Sequence, residues 1–317
     1  MKITLCVKGY KKILACLRSK LPNDIIEECS PEKTGKAALQ SEVLIPVIAP
    51  ITQNILKSKS LKLVQQFGVG LDTIDIEAAN RNKIFVANVP SGGTGNAESV
   101  AELTIGYMIM LSRWINDAQS WFRDKKFGAP LGSNIWKSTV AIIGYGDIGK
   151  ALQKRLNGFE AKTIGVFRDQ SSLSSATQRP DESITFNQLP KLIGTADFII
   201  VTVSGGEANY NLINKNLFRL MKKSAFLINV SRGKTVSYSD LLDALDKKMI
   251  AGAALDVFWS EPFDPNDKLF NYNVIATPHI GGATDLSLEG IAQEVANNIN
   301  RIRKGLKPIN LATSFLI

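Results

Sequence analysis

The chain holds one histidine in 317 residues, His279. It lies in "TPHIGGAT" (277–284), between a proline and a glycine pair. Imidazole titrates near neutral pH, so this is the residue best suited to give or take a proton. A lone loop histidine can equally be an incidental surface residue. What meets it in space decides between the two readings.

The second chemistry-bearing stretch is "TVAIIGYGDIGKALQKRLNG" (139–158). Gly144, Gly146 and Gly149 fit G-x-G-x-x-G, with an apolar strand before them and an amphipathic helix after. In that setting the first glycine permits a tight turn, the second lets a pyrophosphate approach, and the third packs helix on strand. The helix N-terminus offers N–H groups to the anion. The loop, with Tyr145, Asp147 and Ile148, is therefore a candidate dinucleotide site. The same residues also read G-x-x-x-x-G-K, but Ala151 stands where a triphosphate loop needs a hydroxyl for Mg²⁺. Twenty residues beyond Gly149, "TIGVFRDQSS" sets Arg168 beside Asp169. An acid there accepts the 2′-hydroxyl of NAD, and an arginine pairs with the 2′-phosphate of NADP. Either cofactor fits, with a slight lean to NADP from Arg168 and the serines at 171 and 172.

The elements that must hold these residues alternate between strand and helix. "ITLCV", "EVLIPVI", "LKLVQQFG" and "IFVANVP" predict strands, with a helix over 10–21 and another capped by Thr52. A second series begins at 139: "TVAIIGYG", "KTIGVFR", "FIIVTV", "AFLINVS", "AGAALDVF" and "NVIATPH". Such alternation predicts parallel sheets covered by helices. Between the series, Asn96 caps one long helix over about 97–125. Its middle is apolar on nearly every face, through Leu103, Ile105, Tyr107, Met108, Ile109, Met110 and Leu111. A helix apolar all round is buried all round, in a domain core or at a subunit interface. A terminal amphipathic helix over 288–305 stops at Gly305.

Composition narrows the classes. The net charge of +9 is scattered, and no nucleic-acid motif accompanies it. Cys6, Cys16 and Cys29 form no CxxC and read as reduced thiols of a cytoplasmic protein. The longest apolar stretch is too short for a bilayer, and no targeting signal is visible. One histidine cannot build a histidine-based zinc site, so no metal is expected. No tyrosine has a lysine four residues on, as short-chain dehydrogenases require. A complete α/β unit precedes the glycine loop, unlike the lactate/malate dehydrogenase order.

Six motifs together resemble the D-isomer-specific 2-hydroxyacid dehydrogenases: "FGVGLDTIDIEAA" (67–79), "NAESVAEL" (96–103), "GYGDIG" (144–149), "LINVSRGKTV" (227–236), "GAALDVFWSEP" (252–262) and "TPHIGGAT" (277–284). The resemblance covers nearly the whole chain. It implies two Rossmann-like, doubly wound α/β domains. A discontinuous, flavodoxin-like substrate domain would span 1–95 and 284–317. A dinucleotide-binding domain would span 96–283, with the active site in the cleft between the two.

The resemblance also implies roles. Arg232 would grip the substrate carboxylate and polarise its carbonyl, Glu261 would hydrogen-bond the histidine, and His279 would donate the proton. Val69 and Gly70 would hold the carboxylate with backbone N–H groups. Asp256 would meet the nicotinamide carboxamide, and Val230, Ser231, Arg232, His279 and Gly281 would lie against the cofactor. The expected reaction is NAD(P)-dependent interconversion of a 2-keto acid and a D-2-hydroxy acid, by a homodimer joined through the helix over 97–125. The alternative is a dinucleotide-sensing interaction module of the same fold without turnover. Two departures stand out: Ser204 where many relatives have proline, and no plain strand-ending aspartate in "VFRDQ". The regulatory extension of long phosphoglycerate dehydrogenases is not expected.

Overall fold

A computed structural model of the protein describes residues 1–174 and 179–315. The last two residues of the C-terminal segment, 316 and 317, lie outside the described residues. The chain forms two compact units, residues 1–96 with 284–317, and residues 97–283.

The first unit is built on β1 (Lys2–Leu5), β2 (Ile25–Glu28), β3 (Val43–Ile45), β4 (Leu63–Gln65) and β5 (Phe85–Ala87). All pairings are parallel, in the order β2-β1-β3-β4-β5. This is the flavodoxin-like order. Successive side chains alternate between faces. Val43, Ile45 and Leu63 pack one way, against Ile13 and Leu17 and against Ile291, Val295 and Ile299 of the terminal helix Asp285–Arg303. Leu44 and Val64 pack the other way, with Cys6, Ile51, Leu56 and Ala78. The terminal helix is capped by Thr284, whose hydroxyl accepts from the Ser287 N–H. It ends at Lys304, with Gly305 beyond at φ +70°.

The second unit holds β6 (Thr139–Ile143), β7 (Lys162–Phe167), β8 (Glu182–Thr185), β9 (Phe198–Val201), β10 (Phe226–Asn229), β11 (Gly252–Leu255) and β12 (Val274–Ala276). They pair in parallel in the order β12-β11-β10-β9-β6-β7-β8. Order reverses between β6 and β9, the switch point where an open α/β sheet takes its ligand. Apolar layers cover both faces, Ile143, Ile199, Val201 and Leu227 on one and Val140, Ile142, Ile200 and Ile228 on the other.

Several local expectations are corrected. The long helix over 97–125 is two helices, Asn96–Ser112 and Ile115–Arg123. Trp114 breaks them in a left-handed conformation, φ +50°, with its ring edge-on to Phe226. A left-handed helix end usually uses glycine or asparagine, so the sequence carries no signal for this one. Residues after Thr52 make only the 3₁₀ turn Ile55–Lys57; its first N–H groups reach the Thr52 carbonyl, and no side chain caps it. β2 and β8 are short and carry polar residues, which hides their alternation. Met108 is fully buried within its own unit and cannot belong to a subunit interface.

Candidate functional site

The glycine loop leaves β6 at Gly144, φ +96°. A Cβ there would stand 2.8 Å from the Val203 backbone. The loop after β9 therefore closes directly on it, at the switch point. Gly146 caps the helix Asp147–Leu156 without any side-chain capping bond, and nothing fills the space where its Cβ would be. Gly149 packs against Ile142. An open approach to an uncapped helix N-terminus fits a pyrophosphate. Tyr145 can meet such a ligand only through its backbone. Its ring is buried against Phe167 and its hydroxyl bonds Gln153. Ile148 is half-buried.

At the end of neighbouring β7, Asp169 accepts from the Ser171 hydroxyl and the Ser172 N–H, both at 2.8 Å. Those bonds, the backbone one foremost, hold its carboxyl down at about 2. Asp169 thus caps the short helix Gln170–Ser174. Arg168 beside it is exposed.

The remaining candidates follow three adjacent strands. Beyond β10 come Val230, Ser231 and Arg232. Asn229, fully buried, fixes this turn: its amide donates to the Arg232 carbonyl at 2.8 Å and its oxygen accepts from Ser231. Val230 and Ser231 are buried, and the Ser231 hydroxyl is spent on Asn229 and Thr235. Only their backbone can meet a cofactor. Gly233 is required by close approach, since a Cβ would fall 2.0 Å from the Phe258 carbonyl carbon. The turn carrying Arg232 is thereby pressed onto the segment carrying Glu261.

Beyond β11 lie Asp256 and Glu261; beyond β12 lies His279. The His279 Nδ1 is 2.8 Å from Glu261 Oε2, while Glu261 Oε1 accepts from the Phe258 N–H at 3.1 Å. The Glu261 hydrogen bond raises His279 above its usual 6.5, against the opposing effect of burial. Burial pushes the Glu261 carboxyl up, but the bonds from His279 and Phe258 outweigh it and hold it below the usual range. Arg232 lies close enough for its charge to act on both. With Nδ1 tied to Glu261, Nε2 has no hydrogen-bond partner among the described residues and the ring stays partly exposed.

Asp256 is also held by its own loop. It is buried; Oδ1 accepts from the Ile280 N–H at 2.8 Å and from the Thr277 hydroxyl, and Oδ2 from the Gly281 N–H at 2.8 Å. Contact with a carboxamide is confined to the remaining lone pair of Oδ2, and the Gly281 N–H is not available to a cofactor. Tyr107 and Thr277, which bond each other, were not singled out from sequence.

Val69 and Gly70 belong to the first unit, in the loop after β4. Their carbonyls accept from Asn88 and Gln66, and their N–H groups have no acceptor among the described residues. No cluster of three metal-binding side chains occurs among the described residues, and no helix there is long and apolar enough to cross a membrane.

Residues 105–281 match the D-isomer specific 2-hydroxyacid dehydrogenase, NAD binding domain. The glyoxylate reductase of Pyrococcus horikoshii is 35% identical over 267 residues, 81% of this chain and 78% of that one. The glyoxylate reductase of Pyrococcus furiosus is 32% identical over 300 residues, 92% and 88% of the two chains. The TT0316 protein of Thermus thermophilus superposes with a TM-score of 0.85 over 99% of this chain and 100% of its own, at 26% identity. The chain belongs to the D-isomer-specific 2-hydroxyacid dehydrogenase family. It is an NAD(P)-dependent oxidoreductase that interconverts a keto acid and a hydroxy acid, acting on the CH–OH group. A sensing module without turnover is not favoured by these relatives.

Proposed function

We propose that the protein reduces glyoxylate, or a 2-keto acid of similar size, with His279 as proton donor. The observation that carries this is the 2.8 Å bond between His279 Nδ1 and the Glu261 carboxylate, which favours the charged imidazole and leaves Nε2 as its free end. Substrate size is taken from the relatives named as glyoxylate reductases. Arg232 pairs with the substrate carboxylate and polarises the keto oxygen, since a guanidinium fork matches a carboxylate. When bound, the reduced nicotinamide supplies the hydride. His279 Nε2 delivers the proton to the oxygen, and Glu261 stabilises the imidazolium beforehand. The helix N-terminus at Gly146 holds the pyrophosphate.

NADPH is preferred over NADH in this reading. Arg168 is exposed at the ribose end of β7, and Asp169 is turned to its own helix cap. The enzyme is a homodimer. The helix Ile115–Arg123 buries no residue, and Ile115, Ala118 and Phe122 line a shallow, open depression on it together with Gln119 and Arg123. Phe127 and Leu131 beyond it are almost fully exposed. A second copy covers this face.

The test is oxidation of NADPH and NADH with glyoxylate, hydroxypyruvate, pyruvate and phenylpyruvate. The highest kcat/KM is expected for glyoxylate with NADPH. A preference for phenylpyruvate would refute the size, and a preference for NADH would refute the cofactor assignment.

A further inference from the structure

We propose that Tyr107 is a positioning residue for the proton donor: through a buried hydrogen bond to Thr277, which in turn bonds Asp256, it holds the loop that carries His279. This rests on His279 being the proton donor.

Tyr107 is fully buried in the helix Asn96–Ser112, among Val100, Leu111 and Ile275. Its hydroxyl touches the Thr277 hydroxyl and lies 3.5 Å from Asp256 Oδ1. The direction of the relay follows from counting protons. Thr277 has one hydroxyl proton and gives it to the Asp256 carboxylate. Its oxygen must then accept from Tyr107. Burial, and then the charge of Asp256, raise the Tyr107 phenol well above its usual value, so the donor proton stays in place.

The relay grips the loop on both sides of His279. Thr277 precedes it, anchored also by its N–H on the Leu255 carbonyl. Ile280 and Gly281 follow it, both donating to Asp256. Between them His279 has φ +54°, and its N–H turns back to the Thr277 carbonyl at 2.9 Å. L-residues adopt this region sparingly, and such a conformation persists when its surroundings over-determine it. Tyr107 is the one member of the relay that comes from a different layer, the helix, so it ties the loop to the core. Within this unit the charged groups acting on the imidazole are Glu261, Asp256 and Arg232. Tyr107 reaches Asp256 through Thr277 and bonds neither Glu261 nor Arg232.

The test uses the single histidine, whose imidazole gives one set of NMR resonances. Tyr107→Phe removes one oxygen and keeps the ring. Cofactor affinity should be unchanged, because the glycine loop lies on other strands. Turnover should fall about three- to tenfold, the scale of one hydrogen bond. The loop relaxes, the Nδ1–Glu261 bond weakens, and the imidazole should titrate at lower pH than in the wild type. The alkaline limb of the pH–rate profile should move with it. Thr277→Val should reproduce this, and it carries the test if Tyr107→Phe does not fold. Thr277→Ser keeps the hydroxyl and should restore wild-type behaviour. Wild-type turnover and wild-type titration in both Tyr107→Phe and Thr277→Val would overturn the relay, whatever happens to their melting temperatures. Full activity in His279→Gln would overturn the proton-donor reading instead, so the two failures are distinct.

Discussion

Gly233→Ala perturbs the junction of two segments that each carry a candidate catalytic residue. The new Cβ would lie 2.0 Å from the Phe258 carbonyl carbon, 2.1 Å from its oxygen and 2.5 Å from the Trp259 nitrogen. Ordinary contact begins near 3.4 Å, so the segments must separate by about 1.4 Å. Both sides are backbone, and neither can rotate away as a side chain would. Arg232 precedes the glycine, and the Phe258 N–H is bonded to Glu261, so the separation moves one or both. Overpacking costs about 1–3 kcal/mol, and a backbone clash belongs at the upper end. The entropy lost from the unfolded chain returns about 0.4–1 kcal/mol. A net cost of about 2 kcal/mol lowers the melting temperature by about 4–8 °C in a unit of this size. Misplacement by about 1 Å lowers turnover about 10²-fold. Dinucleotide affinity should fall far less than turnover, since the phosphate loop follows β6 rather than β10. Thermal melts, cofactor titration by fluorescence and steady-state kinetics read the three quantities separately. Wild-type turnover and melting temperature together would show that the contact between the Arg232 turn and Phe258 is not what positions the site.

Three further outcomes follow from the same geometry. Glu261→Gln removes the partner that raises His279, so the imidazole loses its proton at lower pH. The charged form serves reduction, so activity is held below the folded-state value and lost as pH rises through it. The alkaline limb of keto-acid reduction should therefore move to lower pH, and an unmoved limb in a folded variant contradicts the role of Glu261. Arg168→Ala should weaken NADPH binding about tenfold or more while leaving NADH nearly unchanged, from the loss of a charge-assisted contact of about 1.5–3 kcal/mol; equal losses would show that Arg168 does not read the phosphate. Phe122→Glu places a charge on a residue 83% exposed, so folding should survive. Sedimentation should then give monomers where the wild type gives dimers, and an unchanged dimer would place the interface elsewhere.

The sequence made the phosphate loop legible because all of its physics is local. Strand, three glycines and helix lie within 20 residues, and each glycine meets the constraint its position implies. The alternating strands likewise announce parallel sheets, although the two short polar strands β2 and β8 escape the pattern. The meeting of Glu261 and His279 is a different matter. They lie 18 residues apart and come together because β11 and β12 are neighbours. Only the resemblance pointed to that pair. The resemblance points Asp256 to a cofactor but gives no sign that its carboxylate also ties down the loop carrying His279. Tyr107 read as one more apolar position in an apolar helix, because periodicity cannot tell a phenol bound to Thr277 from a ring that merely fills space. Trp114 broke that helix with a residue type that gives no warning of a left-handed turn.

The most direct measurement is the turnover of His279→Gln with saturating NADPH and glyoxylate, at a pH on the acidic plateau of the wild type. Glutamine keeps a hydrogen-bond donor at the position but cannot release a proton. With His279 as proton donor, kcat should fall by about 10²–10⁴ with cofactor affinity intact, the loss expected when a general acid is removed. A kcat near that of the wild type would contradict this and leave His279 as an incidental residue of its loop.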